Sequence, residues 1–462
     1  LRGFAIIMMV LSGTIAAWVL PNWMSHCQVP PATGFDPTIY GITWVDLVFP
    51  FFLFAMGAAF PFSVGTKLDR GESKLKLSLS ALGRCCRLVY FALFLAHMYP
   101  WNMMGGEQGP LVWSLCICSF LLMFGMFLRF PWNVKTWVRY AIEFGCYAIG
   151  LAMMVWVDTR KAGTLTLNLY DNNIIILLLG IMALFATVIY IFTYRSVLAR
   201  LGVLPFVMAI LLSKDCADSW QQWLYSYTPA GWLFEFRFLK YLFIVLPGTV
   251  AGQFIKDWIT EKKAEGAVSL PSDSKIMKLL IPVLVLLLLV VNLWGLYTRE
   301  LIANLVISAA LMAQLFYCAK VSGSNSKLFL NLARWGAYFL LLGLFFEAYE
   351  GGIRKDDSTY SYYFVTSGLA FYCLMAFVML CDVLKYNKVM APLTMAGKNP
   401  MIAYAGTYLC VIPALQLLHI FPIMQEYMTS SAIPGFLYGV ILTSFDVLIA
   451  MYFTKIKWFW RT

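Results

Sequence analysis

Residues 279–297 read LLIPVLVLLLLVVNLWGLY, a stretch without a single charge. At 1.5 Å per residue a helix of this length is about 28 Å long, close to the roughly 30 Å hydrocarbon core of a bilayer. In lipid only a helix or a closed barrel satisfies its own backbone. The apolar run is continuous rather than alternating, which argues for the helix and against a barrel strand. Similar runs recur on either side, near residues 4–20, 43–64, 88–104, 111–128, 140–157, 173–194, 197–212 and 239–257, and then 301–319, 333–349, 362–382, 400–421 and 434–454. With 279–297 they make fourteen, of which 197–212 is the weakest. The composition agrees: of 462 residues 61% are hydrophobic, 17% aromatic and 12% charged, against about 25% charged in a soluble domain. This excludes a soluble enzyme. It predicts an all-α, polytopic helical membrane protein with 10–14 transmembrane helices in a single domain, 1–462.

The net charge of +11 follows from where the basic residues stand. Of 34 Lys and Arg, 26 lie on segments facing the side of the N-terminus; the other eight are Arg160, Lys161, Lys214, Arg237, Lys240, Arg299, Arg354 and Lys355. Such asymmetry predicts cytoplasmic N- and C-termini, and it reads as a topology signal rather than a nucleic-acid surface. Nine of the eleven cysteines fall in or beside apolar runs, and only Cys27 and Cys216 lie in outward loops. At most one exposed disulfide is expected. No phosphate-binding loop of the Walker type occurs, which argues against an ATP-driven pump. Residues 262–278, with Gly, Ser and Pro, suit a hinge or equally a solvated loop. The outward loops 21–42, 158–172, 213–238 and 350–361 mix aromatic and polar groups, a surface suited to a sugar.

The three histidines, His26, His97 and His419, all fall on the outward side. They lack Cys, Glu or Asp at ligand spacing, so no metal site is expected. An imidazole titrates near pH 6.5 and suits a base. His26 is followed by Asp46 just inside the second run, where a charge is costly unless partnered. By itself Asp46 is equally well read as an acidic residue favoured at a helix N-terminus. Glu143, Glu347 and Asp446 also stand within runs and would line a proton path in a transporter. On the inward side, MAGKNPMIAY (395–404) sets Gly397, Lys398 and Asn399 before a helix, with Lys385 and Lys388 nearby. Free amides, a glycine and lysines suit an anionic phosphate, though an ordinary basic inner loop has the same composition.

Several segments extend this reading: LRGFAIIMMV (1–10), His26 with GITWVDLVFPFFLFAMG (41–57), PGTVAG (247–252), EGGIRK (350–355), SYYFVTSGLAF (361–371), GKNPMIAYAG (397–406) and VLIAMYFTKIKWFW (447–460). In this order, and over nearly the whole chain, they resemble the transmembrane N-acetyltransferases typified by heparan-α-glucosaminide N-acetyltransferase, above all their bacterial relatives. The resemblance implies transfer of acetyl from cytosolic acetyl-CoA to the amine of a glucosamine-type sugar on the far side, in a bacterial inner membrane. It assigns His26 as the key residue, either deprotonating the acceptor or carrying acetyl transiently, with Asp46 as its carboxylate. Gly397 and Asn399 match the family's Gly-x-Asn pattern, and with Lys388 and Lys398 they would hold the CoA phosphates. Glu347 and Glu350 would face the sugar ammonium. The family core has ten spans, so fourteen imply two inserted hairpins, with 279–319 the best candidate for one unless it is a single broken helix. The expected partners are the lipid bilayer and an amino-sugar or glycan acceptor, with a homodimer left open. The competing functions are a secondary transporter of a small solute and an O-acyltransferase of a cell-envelope glycan.

Distance constrains any such reaction. A phosphopantetheine arm, comparable to five extended residues, reaches roughly 17 Å, whereas the hydrocarbon core is about 30 Å thick. Either the His26 loop dips into the bundle or the CoA head enters it from inside.

Overall fold

The computed structural model describes residues 1–103, 108–130, 132–265 and 275–462. Among the described residues fourteen apolar helices carry the fold. They are α1 (Arg2–Thr14), α2 (Trp44–Ala58), α3 (Lys74–His97), α4 (Pro110–Phe127), α5 (Thr136–Ala162), α6 (Ile174–Phe192) and α7 (Val197–Leu212), then α8 (Leu242–Glu265), α9 (Lys275–Thr298), α10 (Leu301–Lys320), α11 (Ser326–Tyr349), α12 (Tyr360–Val378), α13 (Pro400–Gly406) and α14 (Ala432–Lys455). A π-helical turn, Thr407–Val411, and the helix Ile412–Leu417 continue α13. Among the described residues thirteen helices are long and apolar enough to cross a membrane, all but α1. The chain is an all-α polytopic membrane protein. The expected linker at 262–278 falls mostly outside the described residues.

Local chemistry sets the helix boundaries. The Asn173 side chain accepts the Ile176 N–H at the start of α6, and Ser196 does the same for Ala199 at α7. Both satisfy amides that a helix start leaves without partners. At the other end of α5, Gly163 takes a left-handed conformation with φ +72° and closes the helix. Helices α9 and α10 are separate and antiparallel, joined through Arg299 and Glu300 and tied by Asn292 Nδ2 donating to Ser308 Oγ at 2.9 Å. The run 279–319 is therefore a true hairpin and not one broken helix.

Central helices are packed through small residues. A Cβ on Gly57 of α2 would come within 2.1 Å of the Val245 carbonyl oxygen of α8, and one on Gly248 within 2.3 Å of that of Phe54. PGTVAG thus lets two buried helices touch backbone to backbone, as small residues do in membranes. Helices α5 and α7 lie at the periphery, with most of their apolar windows facing outward.

The first run departs from expectation. Instead of a span over 4–20, α1 ends at Thr14, and the apolar residues Ala17–Val19 form a 3-10 turn. Thirteen residues of helix cover about 20 Å, so the loop that follows begins below the outer surface and packs inward, with Met24, Cys27 and Gln28 buried. The two ends of the chain lie together: Arg2, Arg461 and Thr462 line one cavity, and β2 (Phe459–Trp460) pairs antiparallel with β1 (Leu128–Arg129).

Candidate functional site

The sequence TWVD opens α2. Its Asp46 carboxylate accepts the Thr43 N–H at 3.0 Å and the Thr43 hydroxyl at 3.2 Å, so it caps the helix as its position predicts. It does more than cap. Oδ2 also accepts the Cys27 N–H at 3.2 Å, and Oδ1 lies 2.7 Å from His26 Nδ1. The sunken loop therefore delivers His26 to Asp46. Asp46 is 2% exposed, whereas the His26 side chain is 38% exposed and open to the outer face. With Nδ1–H donated to the carboxylate, the Nε2 lone pair is the ring's acceptor, the arrangement of an oriented base or nucleophile.

A third group joins them. Lys355 Nζ lies 3.1 Å from His26 Nδ1, 3.4 Å from Nε2 and 3.9 Å from Asp46 Oδ1. Buried Gln28 fixes its backbone, its Oε1 accepting the N–H groups of Lys355 at 3.2 Å and Asp356 at 2.8 Å. The EGGIRK segment reaches the site because Gly352 packs face-on against Tyr40, where a Cβ would approach a ring carbon to 2.1 Å and φ is +148°. Neither Lys355 nor Gln28 was among the expected site residues; the motif that carries Lys355 was the available signal. Burial, with Asp46 alongside, pushes the neighbouring Cys27 thiol up to about 12, which keeps it a neutral thiol. All eleven cysteines are free, and burial of Cys27 removes the one disulfide left open by sequence.

Lys355 also lines an outer cleft of about 660 Å³. All four outward loops contribute: Phe35 and Pro37, Tyr170, Trp232 with Glu235, and Asp356 with Asp357. From the opposite side a second cavity of about 300 Å³ runs inward along α1, α2, α3, α6 and α13. One end carries Arg2, Arg84 and Arg461 with Ser63 of the turn after α2; the other reaches Phe49, Ile175 and Tyr404. Ser63 follows Phe49 by fourteen positions, about 21 Å of helix. Among the described residues no carboxylate lies within ion-pair distance of these three arginines, and Arg84 Nε is buried without a partner. Burial and then repulsion by Arg129 hold the Arg461 guanidinium below its usual range. The cavity and the cleft meet at a wall. The ring of Phe49, one turn beyond Asp46, packs edge-on against Tyr241 at 5.4 Å, and Tyr241 lines the cleft.

The remaining expected residues are placed as follows. Gly397 packs on α1, where its Cβ would meet the Gly3 amide at 2.8 Å. Buried Asn399 donates to the Trp458 carbonyl at 2.8 Å and accepts the Trp460 N–H at 3.2 Å. Both hold the segments bearing Arg2 and Arg461, while Pro400, Met401 and Tyr404 of the same motif line the cavity. Lys388 and Lys398 are exposed and do not line it. Glu347 is buried and paired with Arg299. Glu350 accepts the N–H groups of Tyr360 at 2.7 Å and Ser361 at 2.8 Å, capping α12 rather than lining the cleft. His97 is fully buried: Nδ1 donates to the Leu93 carbonyl at 2.7 Å, and Nε2 lies 3.0 Å from Asp158. Together with Asp171 these groups bring their ligand atoms within 4.8 Å of one another. Lys161 already supplies positive charge there, 3.8 Å from Asp158 and 3.7 Å from Asp171.

Fold and site define a polytopic helical membrane protein with a His–Asp–Lys group at one face and an arginine-ended cavity from the other. The chain belongs to the family described as a domain of unknown function, DUF5009, whose model matches residues 1–255. That match takes in His26, Asp46 and Arg84 and ends before Lys355 and Arg461. No curated protein matches the chain.

Proposed function

We propose that the protein is a transmembrane acyltransferase that passes acetyl from acetyl-CoA at the inner face to an amino-sugar amine in the outer cleft. One observation carries this reading. An inner cavity with unpaired arginines at its mouth ends one helical turn from the carboxylate that orients His26, and the Phe49–Tyr241 contact and the first turns of α6 stand between it and the outer cleft. Arg2, Arg84 and Arg461 supply donors for the phosphates of CoA, for which guanidinium is well matched. The roughly 21 Å from that mouth to Phe49 compares with the reach of about 17 Å for a pantetheine arm. The remaining gap is covered by the sunken His26 loop. The phosphate-binding role thus moves from Lys388 and Lys398 to the arginines, with Gly397 and Asn399 positioning two of them.

In the chemical step His26 Nε2 removes a proton from the acceptor ammonium, and Asp46 stabilises the imidazolium that results. The amine lone pair attacks the thioester carbonyl, the C–N bond forms, the C–S bond breaks, and the second proton of the attacking nitrogen passes to the departing thiolate, which leaves as CoA thiol. Through a covalent route His26 Nε2 would attack first and the amine would then displace acetyl from it. Trp232 and Tyr170 offer faces for a sugar ring, and Asp356 and Asp357 offer carboxylates for its ammonium, Glu235 being paired with Arg237.

The test is direct. Purified protein is given radiolabelled acetyl-CoA and a panel of amine and hydroxyl acceptors, and labelled product is measured. Acetylated glucosamine-type product, lost in Arg84→Gln through a raised KM for acetyl-CoA, is the expected result. Transfer only to hydroxyl acceptors would make it an O-acyltransferase. Absence of any CoA binding would overturn the reading. The transporter alternative now rests on Asp446, since Glu143 pairs with Arg87 at 2.6 Å and Glu347 with Arg299, whereas both Asp446 oxygens are buried without a partner. Proton-driven solute uptake into proteoliposomes that ignores acetyl-CoA would favour it.

A further inference from the structure

Between α7 and α11 an apolar groove of about 640 Å³ opens sideways from the bundle. Leu201 and Pro205 form one wall, Trp335 and Phe339 the other, and Phe243 of α8 and Phe364 of α12 the floor. A void of this kind within a bilayer is filled with hydrocarbon, because empty apolar space forfeits dispersion contacts and water finds no hydrogen-bond partners there. Two further observations make it more than a generic lipid-facing surface.

The first is its length and level. Along α11 the groove runs from Arg334 to Phe346, about 18 Å of helix, against roughly 15 Å for one leaflet of hydrocarbon. Lys327, lower on α11, pairs with Glu261 on the charged end of α8. Arg334 lies seven positions further up, about 10 Å, beside Leu198 at the very start of α7. Both positions lie toward the inward end of the bundle, where most of the basic residues stand.

The second is charge. Arg334 is exposed at that end of the groove, and among the described residues it has no carboxylate within ion-pair distance. Arg195 precedes α7 on the same face of the bundle. A guanidinium above a leaflet-deep apolar slot matches a phosphate above an acyl chain. We propose that this groove is a binding site for an anionic diacyl phospholipid of the inner leaflet, one chain lying along Trp335 and Phe339 with the headgroup on Arg334. Its floor residues belong to helices that also serve the site: α12 carries Tyr362, whose hydroxyl donates to the Asp46 carbonyl at 2.8 Å.

Gly202 supplies a clean test, since a Cβ there meets no atom within 4 Å and a large side chain would enter the groove rather than the backbone. The full chain in detergent is titrated with phosphatidylglycerol and, separately, with phosphatidylcholine of the same chains, and bound lipid is counted by native mass spectrometry alongside the thermal unfolding midpoint. The expected result is preferential retention of phosphatidylglycerol, weakened about fivefold in Arg334→Gln, restored in Arg334→Lys, and abolished in Gly202→Trp with the unfolding midpoint of the lipid-free protein unchanged. Equal retention of the two lipids by the wild type, or undiminished phosphatidylglycerol binding by folded Gly202→Trp, would overturn the proposal. Should Gly202→Trp fail to fold, Leu201→Phe narrows the same wall and is read by the same count.

Discussion

Asp46 performs two tasks with one carboxylate, and the pair of tasks explains its tolerance of burial. Oδ2 receives three donors from the helix start and the loop, which leaves Oδ1 to His26. The histidine is thereby oriented but left partly exposed, beside Lys355, which lines the cleft. His26→Ala is accordingly expected to lower acetyl transfer by about 10² to 10⁴, the usual range for a lost general base, with little change in the unfolding midpoint or in acetyl-CoA binding. Near-normal turnover by the purified variant would sink the histidine mechanism. His97 behaves differently. Its position at the end of a span invites its use as a neutral control, but it is buried and bonded to Asp158. His97→Ala removes one partner of a buried carboxylate, which keeps the Asn168 N–H at 2.7 Å and Lys161 at 3.8 Å, and leaves a cavity where the ring was; a loss of up to about 3 kcal/mol follows. The expected readout is a fall in thermal stability; an unchanged midpoint would show that the Asn168 N–H and Lys161 sustain Asp158 without the histidine.

At the level of elements, Glu350 acts on the start of α12. Its carboxylate receives the first two amides of the helix, so Glu350→Gln is expected to cost about 1 kcal/mol, as weakened caps do, and to leave the amino-sugar KM unchanged. A KM effect without a stability effect would instead return Glu350 to the acceptor pocket. The helices themselves were legible in the sequence, because roughly twenty uncharged positions in a row leave the backbone little alternative in lipid. The exception is instructive: residues 17–20 are as apolar as a span, yet they form a turn, since hydropathy reports burial and not backbone geometry. The partnership of His26 with Asp46 was legible because a charge inside a span requires one. Lys355 was not, since it stands 329 positions from His26 and no local pattern links the two. The same holds for Arg2, Arg84 and Arg461, which three separate segments bring to one mouth, while the lysines of the visible basic motif point elsewhere.

For the whole molecule, the proposed acetyl transfer requires two aqueous compartments to be kept apart, and the Phe49–Tyr241 contact lies between the inner cavity and the outer cleft. Phe49 faces the inner cavity and Tyr241 the outer cleft, and Tyr241 is braced in turn by Tyr363, ring to ring at 5.3 Å. The first turns of α6 complete the partition, with Ile175 and Ile176 lining the cavity and Leu177 and Leu178 the cleft. In the proposed reaction this partition would keep outer water from the thioester until an acceptor is in place, the service that closure performs in many active sites. Phe49→Leu keeps an apolar side chain but opens a gap beside Tyr241. It is expected to raise acetyl-CoA hydrolysis in the absence of sugar several-fold and to lower the yield of acetylated sugar per CoA released, while acetyl-CoA affinity stays near that of the wild type because the arginine mouth is untouched. Free CoA and acetylated product, measured in the same reaction, give the ratio. If wild type transfers acetyl and Phe49→Leu remains as tightly coupled, the barrier lies elsewhere along the cavity; if wild type neither binds nor consumes acetyl-CoA, the acyltransferase reading itself falls.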